Sequence, residues 1–379
     1  MSPSQHPGQQ GQRIQQGAHG QHHGEYKVPG GKLVAVDLDV VDDRLENVAV
    51  SGDFFLDPDE ALGLIDRALT GLPATATTTE LATAIDRALD RAREDRTLGV
   101  PVTMVGFDAR AVATAVRRAL GRSTAWADHT FELIHPGPLP PAMHTALDQV
   151  LSEELAAGRR GPTLRFWEWD SAAVIIGSFQ SLRNEVDAEA AERHGVQVIR
   201  RISGGGAMFM EAGNCITFSL VVPASLVDGM TFEESYAFLD DWVLEALAGV
   251  GVQAHYSGLN DIASPSGKIA GAAQKRFAGG AVLHHVTMSY DIDADKMLQV
   301  LRIGREKLSD KGTTSANKRV DPVRSQTNLP RADVIDAFID TFRARYHVVD
   351  GGLTPAELDR AAELMRTKFT DPGWTARVP

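Results

Sequence analysis

The chain has 379 residues, 43% of them hydrophobic, with 50 acidic against 38 basic side chains and a formal net charge of −12. This length predicts two domains with ordinary apolar cores, and the acidic balance argues against a general nucleic-acid surface, whose affinity rests on a basic footprint. No window approaches eighteen uninterrupted apolar residues, no charged-then-apolar leader opens the chain, and one cysteine, Cys215, forbids an internal disulfide, so a reducing cytoplasm with no membrane partner is expected.

Residues 1–24 are rich in Gln, Gly and His, lack apolar periodicity, and are expected to be a disordered tail. His6, His19, His22 and His23 have no cysteine or carboxylate cluster beside them, so no metal is assigned to them. Residues 25–121 read as a small α+β module. Over 32–41 apolar and polar side chains alternate (Leu33, Val34, Val36, Leu38, Val40), as in a strand, and a turn at Asp42-Asp43-Arg44 leads to a second strand over 45–51. Asp57-Pro58-Asp59-Glu60 reads as a helix start, with an aspartate cap and a proline in the first turn. Amphipathic patterns predict two more helices, over 77–93 and 108–120.

A linker is expected over 121–129, and a second domain over 130–379. There the pattern predicts helices over 143–157, 188–194 and 232–248. Strands are expected over 164–169, 172–177, 196–201, 214–222, 252–256, 261–263, 268–277 and 280–291, with three or four helices closing the chain. Sequential strands with helices between and after them indicate an α+β domain rather than a doubly wound parallel sheet.

Two stretches carry chemistry: Arg200-Arg201-Ile202-Ser203-Gly204-Gly205-Gly206-Ala207, and Lys268-Ile269-Ala270-Gly271-Ala272-Ala273-Gln274. A glycine bend lets backbone N–H groups approach an anion, and an acidic chain can still gather a local basic pocket from Arg200, Arg201, Lys268, Lys275 and Arg276. A dinucleotide fingerprint fails because no helix follows the glycines, and a phosphate-binding Walker loop fails because no Gly-Lys-Ser/Thr follows. Adjacent arginines on a strand leave opposite faces, so one of them serves the pocket, and Arg201, next to the bend, is assigned. Strand alternation places Lys268, Ala270, Ala272 and Gln274 on one face, with small residues leaving room for a ligand. The plainer readings are a hairpin turn for the glycines and a surface lysine at a strand start. His284 and His285 point to opposite faces, without ligand spacing for zinc. Cys215, in an apolar strand, reads as an inert buried thiol. Trp167, Trp169, Ile175, Ile176 and Phe179 could line an acyl tunnel or be plain core.

These stretches resemble the lipoate–protein ligase family, within the wider biotin and lipoate ligase superfamily. The resemblance rests on Arg200-Arg201-x-Ser203-Gly204-Gly205-Gly206-Ala207, Gly213-Asn214, Asn260-Asp261-Ile262, Lys268-Ile269-x-Gly271-x-Ala273-Gln274 and His284-His285. Upstream, Leu164-Arg165-Phe166-Trp167 through Ile176-Gly177 and Gln180 is similar to the family's substrate strands, and Lys368-Phe369 and Trp374 to the close of its large domain. Tyr26 to Val34 and Gly52-Asp53-Phe54-Phe55 look like the family's accessory domain, here in permuted order ahead of the catalytic one.

The resemblance implies an α+β mixed-sheet catalytic domain that uses ATP and Mg²⁺ to turn lipoate into lipoyl-adenylate. The acyl group then passes to a lysine of a lipoyl domain, in 2-oxoacid dehydrogenase complexes or the glycine cleavage H protein. It makes Lys268 catalytic, and Arg201, Gly206, Ala207, Met208, Phe209 and Lys268 the nucleotide and adenylate site. Ser203, Gly204, Gly205, Asn214, Asp261, Gly271, Gln274 and His285 would form the lipoate site and its loop, with no metal held by protein alone. Met210-Glu211 replaces the family's usual histidine–aspartate pair, and Val286 replaces the glycine after His284-His285. Two other readings are an octanoyl or lipoyl transferase drawing on an acyl carrier protein, and a non-catalytic homologue that only binds lipoyl domains. Against the first, Tyr256 to Gly267 holds serines but no cysteine. Against the second, Arg201, the glycines and Lys268 are all retained.

Overall fold

The structure, a computed structural model, describes residues 22–28, 30–95, 98, 100–302 and 320–379. Backbone contacts divide the chain into two units, residues 1–123 and 124–379. The expected tail lies outside the described residues up to residue 21; its last three residues do not behave as tail. His22, His23 and Gly24 open strand β1 (His22–Lys27), which pairs antiparallel with β2 (Leu33–Val41) from His22 opposite Leu38 to Lys27 opposite Leu33. His23 adds a 2.8 Å contact from Nδ1 to the Asp37 carboxylate. Composition had hidden this strand, because its side chains are mostly polar and only one face is covered.

β2 continues into β3 (Arg44–Gly52) through Asp42 and Asp43, both with positive φ (49° and 60°), the backbone of a tight hairpin turn. β4 (Phe55–Asp57), α1 (Ala61–Leu69), α2 (Thr78–Glu94), β5 (Thr103–Val105) and α3 (Ala109–Ala119) complete the first unit. Thr77 and Glu80 cap α2 reciprocally, and the Asp108 carboxylate caps α3. The aspartate cap expected for α1 is not formed: Asp57 belongs to β4, which pairs with β5, and the cap position is Glu60, with no side-chain bond. Val34, Val36, Leu38, Ile65, Leu69, Leu81, Ile85, Val112 and Val116 make the core between this sheet and the helices.

The second unit contains β6 (Thr130–Ile134), α4 (Pro141–Ala156), β7 (Thr163–Trp167), β8 (Ala173–Ile176), α5 (Leu182–Glu185), α6 (Ala188–Arg193), β9 (Gln197–Arg200), β10 (Met208–Met210), β11 (Cys215–Pro223) and α7 (Phe232–Gly249). It continues with β12 (His255–Ser257), β13 (Asp261–Ala263), β14 (Lys268–Arg276), β15 (Ala281–Ser289), α8 (Ala294–Val300), α9 (Arg331–Arg345), β16 (His347–Asp350), α10 (Pro355–Leu364) and α11 (Pro372–Thr375). Among the described residues the main sheet has eight strands in the order β12-β13-β14-β15-β11-β7-β6-β16; it is antiparallel up to β7 and parallel from β7 to β16. A smaller sheet runs β10-β8-β9. The α+β class expected from the sequence is the class observed. β6, β10 and β16 went unforeseen because β16 is largely exposed at a sheet edge, β10 has three residues, and β6 sits beside the expected linker.

Alternation along β11 separates two chemistries. Ile216, Phe218 and Leu220 meet Trp242 and Val243 of α7 and Phe338 and Phe342 of α9 in an apolar core. Thr217 and Ser219 face the other way. Strand register sets Ser219 beside Arg165 and His285, and sets His285 beside Ala273. One face of the sheet is therefore largely apolar, whereas the other sets Thr217, Ser219 and His285 among a second apolar cluster with Trp167, Val221 and Leu283, and the site lies on that second face. If β1 is part of the folded unit, a chain beginning at Glu25 should lose on the order of 1–2 kcal/mol of first-unit stability relative to one beginning at His22. Urea denaturation of the two truncations checks this; equal midpoints would return residues 22–24 to the tail.

Candidate functional site

The glycine bend follows β9 directly, and Gly205 turns it with φ at 89°, a conformation that L side chains rarely adopt. The buried Arg201 guanidinium is wrapped inside this bend. Its Nη2 donates to the carbonyls of Gly204 (2.6 Å) and Gly206 (2.8 Å), its Nη1 to Ile175 (3.0 Å), and its Nε to Ser203 Oγ (3.0 Å). Burial pulls its pKa down to about 10, still protonated at neutral pH. Arg201 thus brings charge to the site while most of its donors shape the loop, which leaves little of it for direct hydrogen bonding to a ligand. Arg200 leaves the opposite face, donating to the carbonyls of Gly177, Gln180, Thr375 and Val378.

Between the bend, the small sheet and the main sheet lies a cavity of about 70 Å³. Arg201, Gly206, Ala207, Met208, Lys268, Gly271, Ala273 and His285 line it, with Trp167, Ile175 and Met210 as its apolar wall. Lys268 reaches it by a departure from simple alternation. Ile262 pairs with Ala270, yet the next residue, Ala263, pairs with Lys268, so β14 carries one extra residue, Ile269. This β-bulge turns Lys268 away from the core face occupied by Ile269, Ala270 and Ala272, onto the face of Gly271 and Ala273. The expected company of Lys268 with Ala270, Ala272 and Gln274 is therefore corrected. Its Nζ pairs with Asp261 Oδ1 at 2.8 Å, and a Cβ added at Gly271 would stand 2.9 Å from that nitrogen.

Below the bend runs a buried polar chain that joins the expected Ser203, Arg201 and His285 to Asp148, Ser219 and His144, which the sequence reading did not single out. Asp148 of α4 accepts from Arg165 Nη2 (2.7 Å), from the Ser219 hydroxyl and from His285 Nδ1 (2.8 Å). With Nδ1 donating, His285 Nε2 accepts from Ser203 Oγ at 2.7 Å, and the same Oγ accepts from Arg201 Nε. On the far side of Arg165, its Nη1 donates to His144 Nδ1 (3.0 Å), and His144 Nε2 donates to the Glu168 carbonyl (2.7 Å). Burial alone would push the Asp148 carboxyl up, but the His285 hydrogen bond and the Arg165 charge outweigh it and hold the group ionised. Burial, which the Asp148 contact only partly offsets, lowers His285 and keeps it neutral. The signal available in the sequence was a charged residue inside an aromatic strand, Leu164-Arg165-Phe166, and an acid among the apolar positions of α4.

Other expected site residues lie elsewhere. Phe209 is buried with Val174, Ile176 and Val300 in a separate apolar cluster. Asn214 donates from Nδ2 to Glu211, and Glu211 in turn pairs with Lys296 at 2.6 Å. Gln274 faces α7, where its Oε1 accepts from the Ser235 hydroxyl, and His284 beside it contacts Asp240 at 2.6 Å. Of the supposed tunnel residues, Trp167 and Ile175 line the cavity, Ile176 belongs to the Phe209 cluster, and Phe179 is 78% exposed. Cys215 is fully buried, and desolvation raises its thiol to about 11. Among the described residues no group of three His, Cys, Asp or Glu side chains is placed to hold a metal ion.

Two outcomes follow from this geometry. Burial, with the nearby Arg165 charge, depresses His144 to about 3. Between that value and the unfolded-state value near 6.5, the unfolded chain binds the proton that the folded chain refuses. Stability is therefore complete above pH ~6.5 and is lost as pH falls, by up to about 1.4 kcal/mol per pH unit, with His285 acting in the same direction. The melting temperature should drop between pH 7 and pH 5; a flat profile would contradict a neutral His144. Separately, Gly271→Ala should leave the melting temperature nearly unchanged, since the obstructed atom is the end of a flexible side chain. By displacing Nζ it should lower turnover about ten- to a hundredfold, and wild-type turnover in the variant would detach Lys268 from the chemistry.

Known proteins resemble this chain in sequence and in fold. Residues 140–343 match the family described as the lipoyl protein ligase A/B catalytic domain. An octanoyltransferase LipM from Geobacillus kaustophilus is 26% identical over 276 residues, covering 65% of this chain and 98% of that protein. A lipoate-protein ligase A subunit 1 from Thermoplasma acidophilum is 30% identical over 243 residues, covering 61% of this chain and 90% of its own. Among solved structures, the bipartite lipoate protein ligase of Thermoplasma acidophilum, studied with its E2 lipoyl domain, superposes with a TM-score of 0.58 at 28% identity over 66% of this chain and 98% of that one. A lipoate-protein ligase A bound with ATP gives 0.55 at 25% identity over 66% and 99% of the two chains. A Thermoplasma acidophilum structure with bound lipoic acid gives 0.56 at 26% identity over 65% and 99%. With more than half of its length matched, the chain belongs to the lipoyl protein ligase A/B catalytic-domain family.

Proposed function

We propose that this member of the family is an ATP-dependent lipoate–protein ligase, with the first unit, residues 22–123, as an accessory-type module in permuted order. The observation that carries the choice is the contrast between Lys268 and Cys215. The ammonium lies in the cavity beside the glycine bend, whereas the only thiol of the chain is buried, held protonated, and absent from the cavity lining. A transferase that passes the acyl group through a cysteine thioester needs a thiolate within reach of substrate.

A carboxylate is a poor acyl donor to an amine because its leaving group would be oxide. In the proposed first step a lipoate carboxylate oxygen attacks the α-phosphorus of ATP, and the bond to pyrophosphate breaks. Backbone N–H groups of the Gly206–Met208 segment and the Lys268 ammonium face the negative charge of the carboxylate and α-phosphate. In the second step a lysine amine of a lipoyl domain attacks the acyl carbon, AMP departs with the bonding pair, and the amine's surplus proton goes to solvent. Lys268, held by Asp261, opposes the charge that collects on oxygen in both steps, and removing such a preorganised donor costs about 2.7–4 kcal/mol of barrier.

Incubation with lipoate, Mg·ATP and an unmodified lipoyl domain should add the lipoyl mass and release pyrophosphate. Lys268→Ala should lower adenylate formation at least about a hundredfold, while Cys215→Ser stays near wild type. Modification from an octanoyl carrier protein without ATP, or dependence on Cys215, would replace this reading by the transferase. Removing the first unit should impair adenylation; an unaffected catalytic fragment would make that unit an appendage.

A further inference from the structure

A second concavity, of about 420 Å³, opens on the far side of the glycine bend. Ile202 of the bend borders it, and Phe179 lies close enough that a Cβ on Gly204 would be 3.9 Å from its ring. Along β14, Gly271 and Ala273 face the Lys268 cavity, and Lys275, the next residue on that face, faces this cleft. The cleft and the cavity are thus consecutive stations on one strand.

Its chemistry differs from that of the cavity. Lys275, Lys368 and Arg377 all border it, and among the described residues none of the three forms an ion pair. Lys368 Nζ donates to Gln149 Oε1 at 2.8 Å and lies 4.3 Å from the Trp374 ring centre, while Arg377 stacks on the same ring at 4.3 Å and donates to Ser178. Lys275 lies over Phe277 at 5.3 Å. Glu153, the one acid on the rim, is engaged by Arg360. Burial lowers the Lys368 ammonium, the Glu153 carboxylate partly offsets this, and Lys275 and Arg377 lower it further. A chain of net charge −12 has gathered three cations against a single rim carboxylate around aromatic rings, with Phe179 protruding at 78% exposure.

We infer that this cleft docks the acceptor protein, through an acidic surface next to its acceptor lysine, with Phe179 as the apolar anchor. The inference rests on the ligase reading for its consequence in turnover, though not for the contact itself. Cations attract the partner's carboxylates, a protruding aromatic supplies buried contact area, and the shared strand face aims the partner's lysine at the cavity. A phosphate subsite for the nucleotide would use the cations alone and would leave Phe179 without a role.

The test uses the full chain carrying Lys275→Glu with Phe179→Ala, both side chains free of hydrogen bonds that hold the fold, with the melting temperature as control. Three quantities are read: lipoate-dependent pyrophosphate exchange without acceptor, KM for an unmodified lipoyl domain, and its directly titrated Kd at low and high salt. Exchange should be unchanged, while KM and Kd rise about tenfold, with a weaker salt dependence than wild type. A raised KM for ATP in the exchange assay overturns the inference in favour of a phosphate subsite, and an unchanged Kd overturns it outright. If wild type shows no exchange, the ligase reading fails separately, and the titration still decides whether the cleft docks the domain.

Discussion

Asp148 is removed from water and met by donors from three strands: Arg165 of β7, Ser219 of β11 and His285 of β15. An isolated carboxylate at such a position would be driven to take a proton. Here the surrounding donors keep it ionised, and it fixes His285 in the tautomer that accepts from Ser203. Through Ser203 and Arg201 the order passes into the glycine bend. The bend is therefore not a floppy glycine loop. Its carbonyls are held by a buried guanidinium, and its first residue is moored to the sheet.

The other wall of the cavity depends on one backbone irregularity. Strand alternation alone would aim Lys268 at the core side of the sheet, where Ile269, Ala270 and Ala272 pack beneath α7. The bulge at Ile269 sends it to the cavity side instead, and Asp261, across the β13–β14 ladder, receives it. Bend and lysine are then supported independently, one by a side-chain relay and the other by strand geometry. Both converge on a space walled by Trp167, Ile175 and Met210, apolar surfaces suited to the acyl part of a substrate.

What the sequence disclosed follows from what local pattern encodes. Period-two alternation in β11 revealed Ile216, Phe218 and Leu220 as one buried face, because that face meets only apolar neighbours. Arg200 and Arg201 separated onto opposite faces as neighbouring strand residues must. The α+β class was legible from the order of strands and helices. The relay through Asp148 was not, since its members stand 17 to 137 positions apart and meet only when four elements assemble. Nor was the facing of Lys268, because a bulge leaves no mark in composition: an isoleucine in a strand looks the same whether or not it has a partner opposite. Phe209 and Gln274 were drawn into the site by nearness in sequence, while the pleat directs them elsewhere.

The supernumerary isoleucine of β14 carries an implication for how such a catalyst can be lost or repurposed. Loss of that one codon would restore regular pairing and rotate the ammonium into oil, where a charged amine is strongly disfavoured. The glycine bend and the lysine itself would both survive, with only the spacing from Lys268 to Gly271 shortened and the ammonium facing the wrong way. Divergence in this lineage is therefore read more safely from insertions and deletions around residue 269 than from which side chains are retained.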